Sequence, residues 1–245
     1  MRITDAEARR YLTGMTFLPV AMPAIRDNRT QVPDTTLIPW AAIGQVLATF
    51  PNGTTLVSSG TLIDDQFIVT AGHALYDEAN GGQATGVTFT PGLSDDVAPF
   101  GVFDVPPANM FFLPGFQPGT ANDYGMLNLD QDLGGTIGGN YTLMNLSDDQ
   151  LNDLGGFQIT GYPIDKGGDA MWTAAGLLSA FNDDFVFTDS AFANAGESGG
   201  PAWALFEDTD EFGLFGIFIG SNAAGMTSIR VTDAVVAQYM VWMNG

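Results

Sequence analysis

Apolar residues in this chain fall into short alternating runs broken by glycine, proline and asparagine, and the pattern changes at both ends. Residues 1–14 carry helical spacing. Thr4 and Glu7 stand as a capping box and Gly14 is placed to stop the helix, so a short amphipathic helix is expected there. Residues 15–25 are apolar but interrupted by Pro19 and Pro23. From Pro33 onward the period is two. Residues 43–50 and 54–59 flank the turn Pro51-Asn52-Gly53 and predict a hairpin. A second hairpin is expected where 61–63 and 67–70 flank Asp64-Asp65, and it leads the chain into His73. Further strands are expected at 87–90, 102–105, 125–129, 157–160, 176–180, 185–188, 202–206 and 214–219. Helical spacing returns at the end, where Thr232 can cap a helix presenting Val235, Val236, Tyr239, Met240 and Met243. Regularly spaced short strands between glycine-rich turns predict an all-β chain, built as two barrels or a sandwich.

Composition narrows the functional classes. With 245 residues, 31 glycines and 13 prolines, the chain can bury a substantial core in one large domain or two small ones. There is no cysteine, which excludes disulfides and cysteine-ligated zinc. No apolar run approaches the ~20 residues that span a bilayer. Charge is unevenly spread. Five arginines face three acids in residues 1–32, whereas Lys166 and Arg230 alone face the other 25 acids, giving +2 and −23 within a total of −21. Such a body repels nucleic acid and anionic membranes, and suits either simple solubility or salty surroundings. Residues 1–24 are expected to be a leader or pro-segment whose positive face docks on the acidic body, the alternative being an ordinary extension of the domain at 25–245. The acids in the first segment and the broken apolar run make a weak signal peptide.

The chemistry centres on one imidazole. His73 is the sole histidine and sits in Thr70-Ala71-Gly72-His73. Downstream stand Asn122-Asp123-Tyr124-Gly125-Met126-Leu127, an acid leading into an apolar strand, and Gly196-Glu197-Ser198-Gly199-Gly200-Pro201. A serine hydroxyl is a poor nucleophile until an imidazole takes its proton and a buried carboxylate fixes the imidazole's tautomer. The order His, Asp, Ser, with 50 and 75 residues between successive members, is that of the chymotrypsin-type triad. The rival reading of Gly-x-Ser-x-Gly, the nucleophile elbow of an α/β-hydrolase, needs a histidine after the serine. None follows Ser198, so the elbow is excluded.

These three blocks, 70–73, 123–127 and 196–201, resemble the signatures of trypsin-like serine proteases. Arg29-Thr30 leading to 35–41, Thr90-Pro91-Gly92, Asp123-Tyr124-Gly125 and Gly161-Tyr162-Pro163 with Asp165-Lys166 resemble the bacterial glutamyl endopeptidase branch. The resemblance implies an all-β fold of two antiparallel six-stranded barrels of chymotrypsin type with a C-terminal helix, the triad lying between them. It implies a secreted, monomeric serine endopeptidase acting on protein or peptide substrates, without cofactor, resident metal or nucleic-acid partner. Ser198 would attack the scissile carbonyl, His73 would relay the proton, Asp123 would orient His73, and the Gly196 and Ser198 N–H groups would form the oxyanion hole.

Departures from that branch bear on specificity. Glutamyl endopeptidases line their primary pocket with a second histidine, and the matching position here is Phe218. A neutral pocket built from Phe192, Ala193, Asn194, Phe218, Ile219, Gly220 and Ser221, with Ala195, Asn222, Ala223, Gly225 and Met226, would take an uncharged side chain. Glutamate recognition stays open if Arg230 faces that pocket, and recognition of a basic side chain would need Asp189 there. Phe218 can equally be plain core. Gly220 and Ser221 can offer backbone groups to an extended substrate. Glu197 stands where many trypsin-like enzymes place an aspartate that pairs with a freed amino terminus. Cleavage near residues 23–32 could supply such an amine, the alternative being local backbone bonding. The acidic clusters could attract calcium, but no loop has EF-hand spacing. Asn28, Asn52, Asn140 and Asn145 are glycosylation acceptors only in a source that glycosylates. A protease-like binding module without turnover is the competing class.

Overall fold

Glycine and asparagine set the first hairpin. Gly53 takes φ +86° and Asn52 Oδ1 accepts from Thr54 N at 2.9 Å, so strand Ile43–Thr49 turns back as Thr55–Leu62. The second strand runs continuously through the predicted break at residue 60 and pairs with Phe67–Thr70 around Asp64-Asp65. In this computed structural model, which describes residues 1–13, 15 and 26–245, these strands belong to a seven-stranded antiparallel sheet. Its order is Phe103–Val105, Gly86–Pro91, Ile43–Thr49, Thr55–Leu62, Phe67–Thr70, Gly125–Asn128, Met110–Phe112. The two end strands are consecutive in the chain and separated only by residues 106–109, a link of at most ~18 Å. So short a link draws the sheet's ends together into a barrel. The break falls at Pro106-Pro107, where proline has no N–H to give a ladder, so six barrel strands are counted as seven.

The second sheet repeats the design. Its path runs through Trp172–Gly176, Phe157–Gly161, Pro201–Phe206, Glu211–Asn222, Gly225–Arg230 and Phe185–Thr188, six antiparallel strands. Thr30–Gln31 is added at one edge, Ala180–Phe181 at the other, and Thr142–Leu143 lies parallel to the long strand, making nine. The fold is therefore the expected all-β pair of barrels. Strand placement differs locally. The strand expected at 176–180 is two elements, Trp172–Gly176 and Ala180–Phe181, and Met110–Phe112 and Gly225–Arg230 had no sequence signal. Gly225–Arg230 is buried along its whole length, so it lacks the alternation that marks a half-exposed strand.

The barrels meet through Trp40 and Trp203, whose rings cross edge to face at 5.3 Å, and through Gln45 Nε2 donating to Gly168 O at 2.6 Å. The C-terminal helix Asp233–Asn244, capped by Thr232, returns to the first barrel. Its buried Tyr239 packs on Tyr124 with ring centroids 5.5 Å apart, beside the acid block. The N-terminal helix Asp5–Leu12 forms with both bonds of the Thr4–Glu7 capping box, while Gly14, its expected stop, and Pro19 and Pro23 lie outside the described residues. It docks on the second barrel. Arg2 binds Asp148 and Asp183, Ile3 N donates to Phe181 O at 2.7 Å, and buried Tyr11 stacks on Phe187 at 4.3 Å. Full burial of an aromatic side chain of this size contributes about 1.5–3 kcal/mol, so the helix is held by packing as well as by charge.

Candidate active site

Each candidate side chain lies next to a strand end. His73 lies in the single helical turn Gly72–Ala74 directly after Phe67–Thr70, and Asp123 precedes Gly125–Asn128, the neighbouring strand. That pairing brings the two together. His73 Nδ1 lies 2.8 Å from Asp123 Oδ2, and the His73 backbone N–H donates to Oδ1 at 2.8 Å. Gly119 N also donates to Oδ2, at 2.7 Å. Asp123 is wholly buried, so three bonds replace the water it lost and fix its plane. A carboxylate accepts at Nδ1–H, which leaves Nε2 as the basic nitrogen of His73. Gly72 leaves room for this contact, since a Cβ there would sit 3.2 Å from Asp123 Oδ1.

Ser198 comes from the other barrel, on the turn before Pro201–Phe206. The turn's shape depends on glycine. Gly196 has φ +93° and Gly199 φ +85°, both in the left-handed region where side chains cost about 1–2 kcal/mol. A Cβ on Gly196 would also strike the Tyr162 carbonyl and lie 2.9 Å from Ile164 N. The first barrel pins the turn through Ser59, whose hydroxyl donates to Gly196 O at 2.8 Å and accepts from Tyr162 N at 2.9 Å, while its N–H donates to Ser198 O at 2.8 Å. Ser59 had no mark in the sequence beyond lying on a strand. Gly199 N donates to Phe218 O at 2.7 Å, tying the turn to the long strand of its own barrel. His73, Gly196 and Ser198 all line one cavity of about 310 Å³ between the barrels. Leu56, Val57, Tyr76 and Ile164 form its apolar walls.

Glu197 is enclosed by the same turn. Its side chain is fully buried, Oε2 accepts from Asn194 N at 2.7 Å, and Arg29 Nη1 donates to Oε2 at 3.0 Å. Burial pushes its pKa up to about 8, against the lowering pull of Arg29 and of the Asn194 N–H. The sequence suggested a freed amine as partner, with local backbone bonding as the alternative. The structure supplies the Arg29 guanidinium together with a backbone bond. The proposed cleavage interval overlaps residues 23–25, which lie outside the described residues.

The candidate specificity residues converge only in part. Phe192, Ala193, Phe218 and Met226 share one buried apolar cluster. Ile219 projects to the opposite side of its strand, into the cluster of Ile217 and Ile229, so its side chain does not join them. Asn194 Oδ1 accepts from Ala195 N within its own turn, and Ser221 pairs with Met226 just past the bulge between Phe218 and Gly220. Arg230 does not face this cluster with an open guanidinium. It donates to Asn182 O and Leu146 O and pairs with Asp148, which removes it as a receptor for a substrate acid. Asp189 is exposed and accepts from the Ser179 hydroxyl, outside the cluster.

Two antiparallel barrels that bring a histidine–aspartate pair and a glycine-flanked serine into one cleft define the class of chymotrypsin-fold serine hydrolases. The trypsin family model matches residues 34–243, and the chain belongs to that family. A Bacillus subtilis protein named extracellular metalloprotease is 29% identical over 227 residues, covering 89% of this chain and 68% of that protein. A glutamyl endopeptidase of Bacillus licheniformis is 29% identical over 182 residues, covering 72% of this chain and 53% of its own length. Among solved structures, a Glu endopeptidase in complex with MPD superposes with TM-score 0.72 at 22% identity, covering 90% of this chain and 97% of that one. Protease Anisep from Arthrobacter nicotinovorans gives TM-score 0.66 at 18% identity, covering 89% and 100%.

Proposed function

We propose that the protein is a secreted serine endopeptidase that cleaves protein or peptide substrates through a His73–Asp123–Ser198 triad and an acyl-enzyme. The observation that carries this reading is the 2.8 Å bond between His73 Nδ1 and buried Asp123, with Ser198 and Gly196 on the same cavity. Ser198 Oγ attacks the scissile carbonyl as His73 Nε2 takes its proton, and His73 returns that proton to the leaving amine. Water then enters by the same route and releases the acyl group. The Gly196 and Ser198 N–H groups hold the negative oxygen, each such donor being worth about 3–4 kcal/mol of barrier. A fluorophosphonate probe tests the assignment. Labelling of the wild type and its loss in Ser198→Ala support it, while folded wild type that neither labels nor cleaves favours a binding module.

For the P1 side chain we propose an uncharged residue, apolar or small. Phe192, Ala193, Phe218 and Met226 are apolar, and the cations in reach are engaged. Arg29 is held by three acidic side chains, and Lys166 lies 3.2 Å from Asp27 and over the Trp172 ring. The names of two similar proteins, a glutamyl endopeptidase and a Glu endopeptidase, favour glutamate instead. Cleavage profiling on a peptide library separates the two, and dominant cleavage after glutamate refutes the neutral pocket. Residues 1–24 we assign as a leader or pro-segment, docked through Arg2 and Tyr11. N-terminal sequencing of active enzyme tests this, and activity confined to chains that keep Met1 rejects it.

A further inference from the structure

We propose that Arg29 is a positioning residue that holds the oxyanion turn through Glu197, so that the intact chain builds its oxyanion hole without a freed amino terminus. This rests on the assignment of Ser198 as nucleophile. The guanidinium has five N–H donors in a rigid fork. Five bonds meet them: Nε and Nη2 to Asp27 at 3.0 Å each, Nη2 and Nη1 to Asp165 at 2.6 and 2.9 Å, and Nη1 to Glu197 at 3.0 Å. The Arg29 side chain has no solvent exposure, and its guanidinium lies over the Phe192 ring at 4.7 Å. One side chain thus ties the N-terminal strand, the turn Ile164–Lys166 and the turn 194–197 together. The last two also share the bond from Ile164 N to Ala195 O at 2.8 Å.

Glu197 transmits the restraint. Its Oε2 accepts from both Arg29 and Asn194 N, and its N–H donates to Asn194 O, so the carboxyl closes a ring of bonds around residues 194–197. Gly196, whose N–H is the proposed donor, is inside that ring. A buried carboxyl oxygen that loses its donor is costly in either protonation state, and the turn would rearrange to reach water or another donor. Asp165, Asp27 and Lys166 are the other charged groups around the pair, and the acids outnumber the cations, so none of them replaces Arg29.

Arg29 is anchored independently of whatever precedes Arg26. Thr30 and Gln31 pair with Thr173 and Trp172. The Asn28 side chain donates to Ala175 O and Ser190 O and accepts from Phe192 N. Cleavage anywhere before Arg26 leaves all of these bonds in place. The fork also has no donor left for a substrate carboxylate, in keeping with a neutral P1 pocket.

The test compares wild type, Arg29→Gln, Arg29→Lys, Glu197→Gln and Glu197→Ala as full chains, with melting curves and the rate of fluorophosphonate labelling per folded molecule. Wild type with Met1 intact should label. Arg29→Gln and Glu197→Ala should each lower the labelling rate and kcat roughly 10²-fold with little change in KM, the scale of losing or misplacing one oxyanion donor. Arg29→Lys, with three donors in place of five, should fall between, and Glu197→Gln should keep most activity because its amide oxygen still accepts. Combining Arg29→Gln with Glu197→Ala should cost no more than either alone. The proposal is overturned if Arg29→Gln, or Arg29→Lys where Gln prevents folding, loses only melting temperature and labels at the wild-type rate. It is also overturned if the wild type labels only after N-terminal cleavage. Folded wild type that never labels under any processing sinks the nucleophile assignment itself, a result distinct from both.

Discussion

Replacing Gly196 with alanine separates the shape of the nucleophile turn from its chemistry. The added Cβ meets three things at once. It lies 2.9 Å from Ile164 N and 3.0 Å from Ile164 Cγ1, and closer still to the Tyr162 carbonyl oxygen. Ordinary carbon–oxygen contacts begin near 3.3 Å, so the turn must retreat from the Tyr162 carbonyl by about an ångström. It cannot retreat freely, because Ser59 Oγ donates to Gly196 O and Ile164 N donates to Ala195 O. The φ of +93° adds about 1–2 kcal/mol for any residue with a Cβ. That strain lowers Tm by about 2–8 °C in a chain of this size. The chemical penalty is larger. Displacement on the ångström scale costs about 10²-fold, and complete loss of one oxyanion donor about 10²–10³-fold. The expected result is therefore a kcat reduced by 10²–10³, a KM within a few-fold of wild type, and a small fall in Tm. Steady-state kinetics on a peptide substrate and a melting curve are sufficient. A Gly196→Ala enzyme with wild-type kcat would refute both the donor assignment and the reasoning from the turn.

Other substitutions probe neighbouring parts of the site. Asp123→Asn should lower kcat by about 10⁴, because the amide stabilises the wrong imidazole tautomer while leaving the fold intact; kcat within tenfold of wild type would argue against the orienting role. Glu197 holds its proton in the folded state between its ordinary value of 4.5 and about 8. Its contribution to stability is therefore complete below pH 4.5 and is lost as pH rises through 8, a change of the order of a few kcal/mol. Denaturation across that interval should show a fall in wild type and a flatter profile in Glu197→Gln, and identical slopes would exclude Glu197 as the source. At a net charge of −21 the chain repels itself, so 1 M salt, with a Debye length of about 3 Å, should raise Tm; a fall would favour simple solubility over adaptation to salty surroundings.

Much of the candidate site was legible because its chemistry is local. The glycines at 196 and 199 announce a backbone that other residues resist, and the block order of His73, Asp123 and Ser198 excludes the hydrolase elbow without any coordinates. The hairpin at Pro51-Asn52-Gly53 and the Thr4–Glu7 capping box are likewise written in neighbouring residues. Gly225–Arg230 was missed because a strand buried on both faces loses its alternation. Ser59 was missed because nothing nearby in sequence marks a hydroxyl that will meet Gly196 O, 137 residues away. Arg230 was assigned a possible task in the pocket and proves instead to be spent on Asn182, Leu146 and Asp148.

By itself, then, the sequence determined most of the strand pattern, the turns that need glycine, and a chain order of His73, Asp123 and Ser198 that leaves no histidine after the serine. These follow from short-range rules: side-chain period, allowed φ, and the number of bases available. Tertiary structure decided which partners Ser59, Arg29 and Glu197 receive. Arg29 and Glu197 are 168 residues apart, and no local periodicity encodes that meeting. Burial selects it, because a carboxyl removed from water must find a donor wherever the fold brings one near.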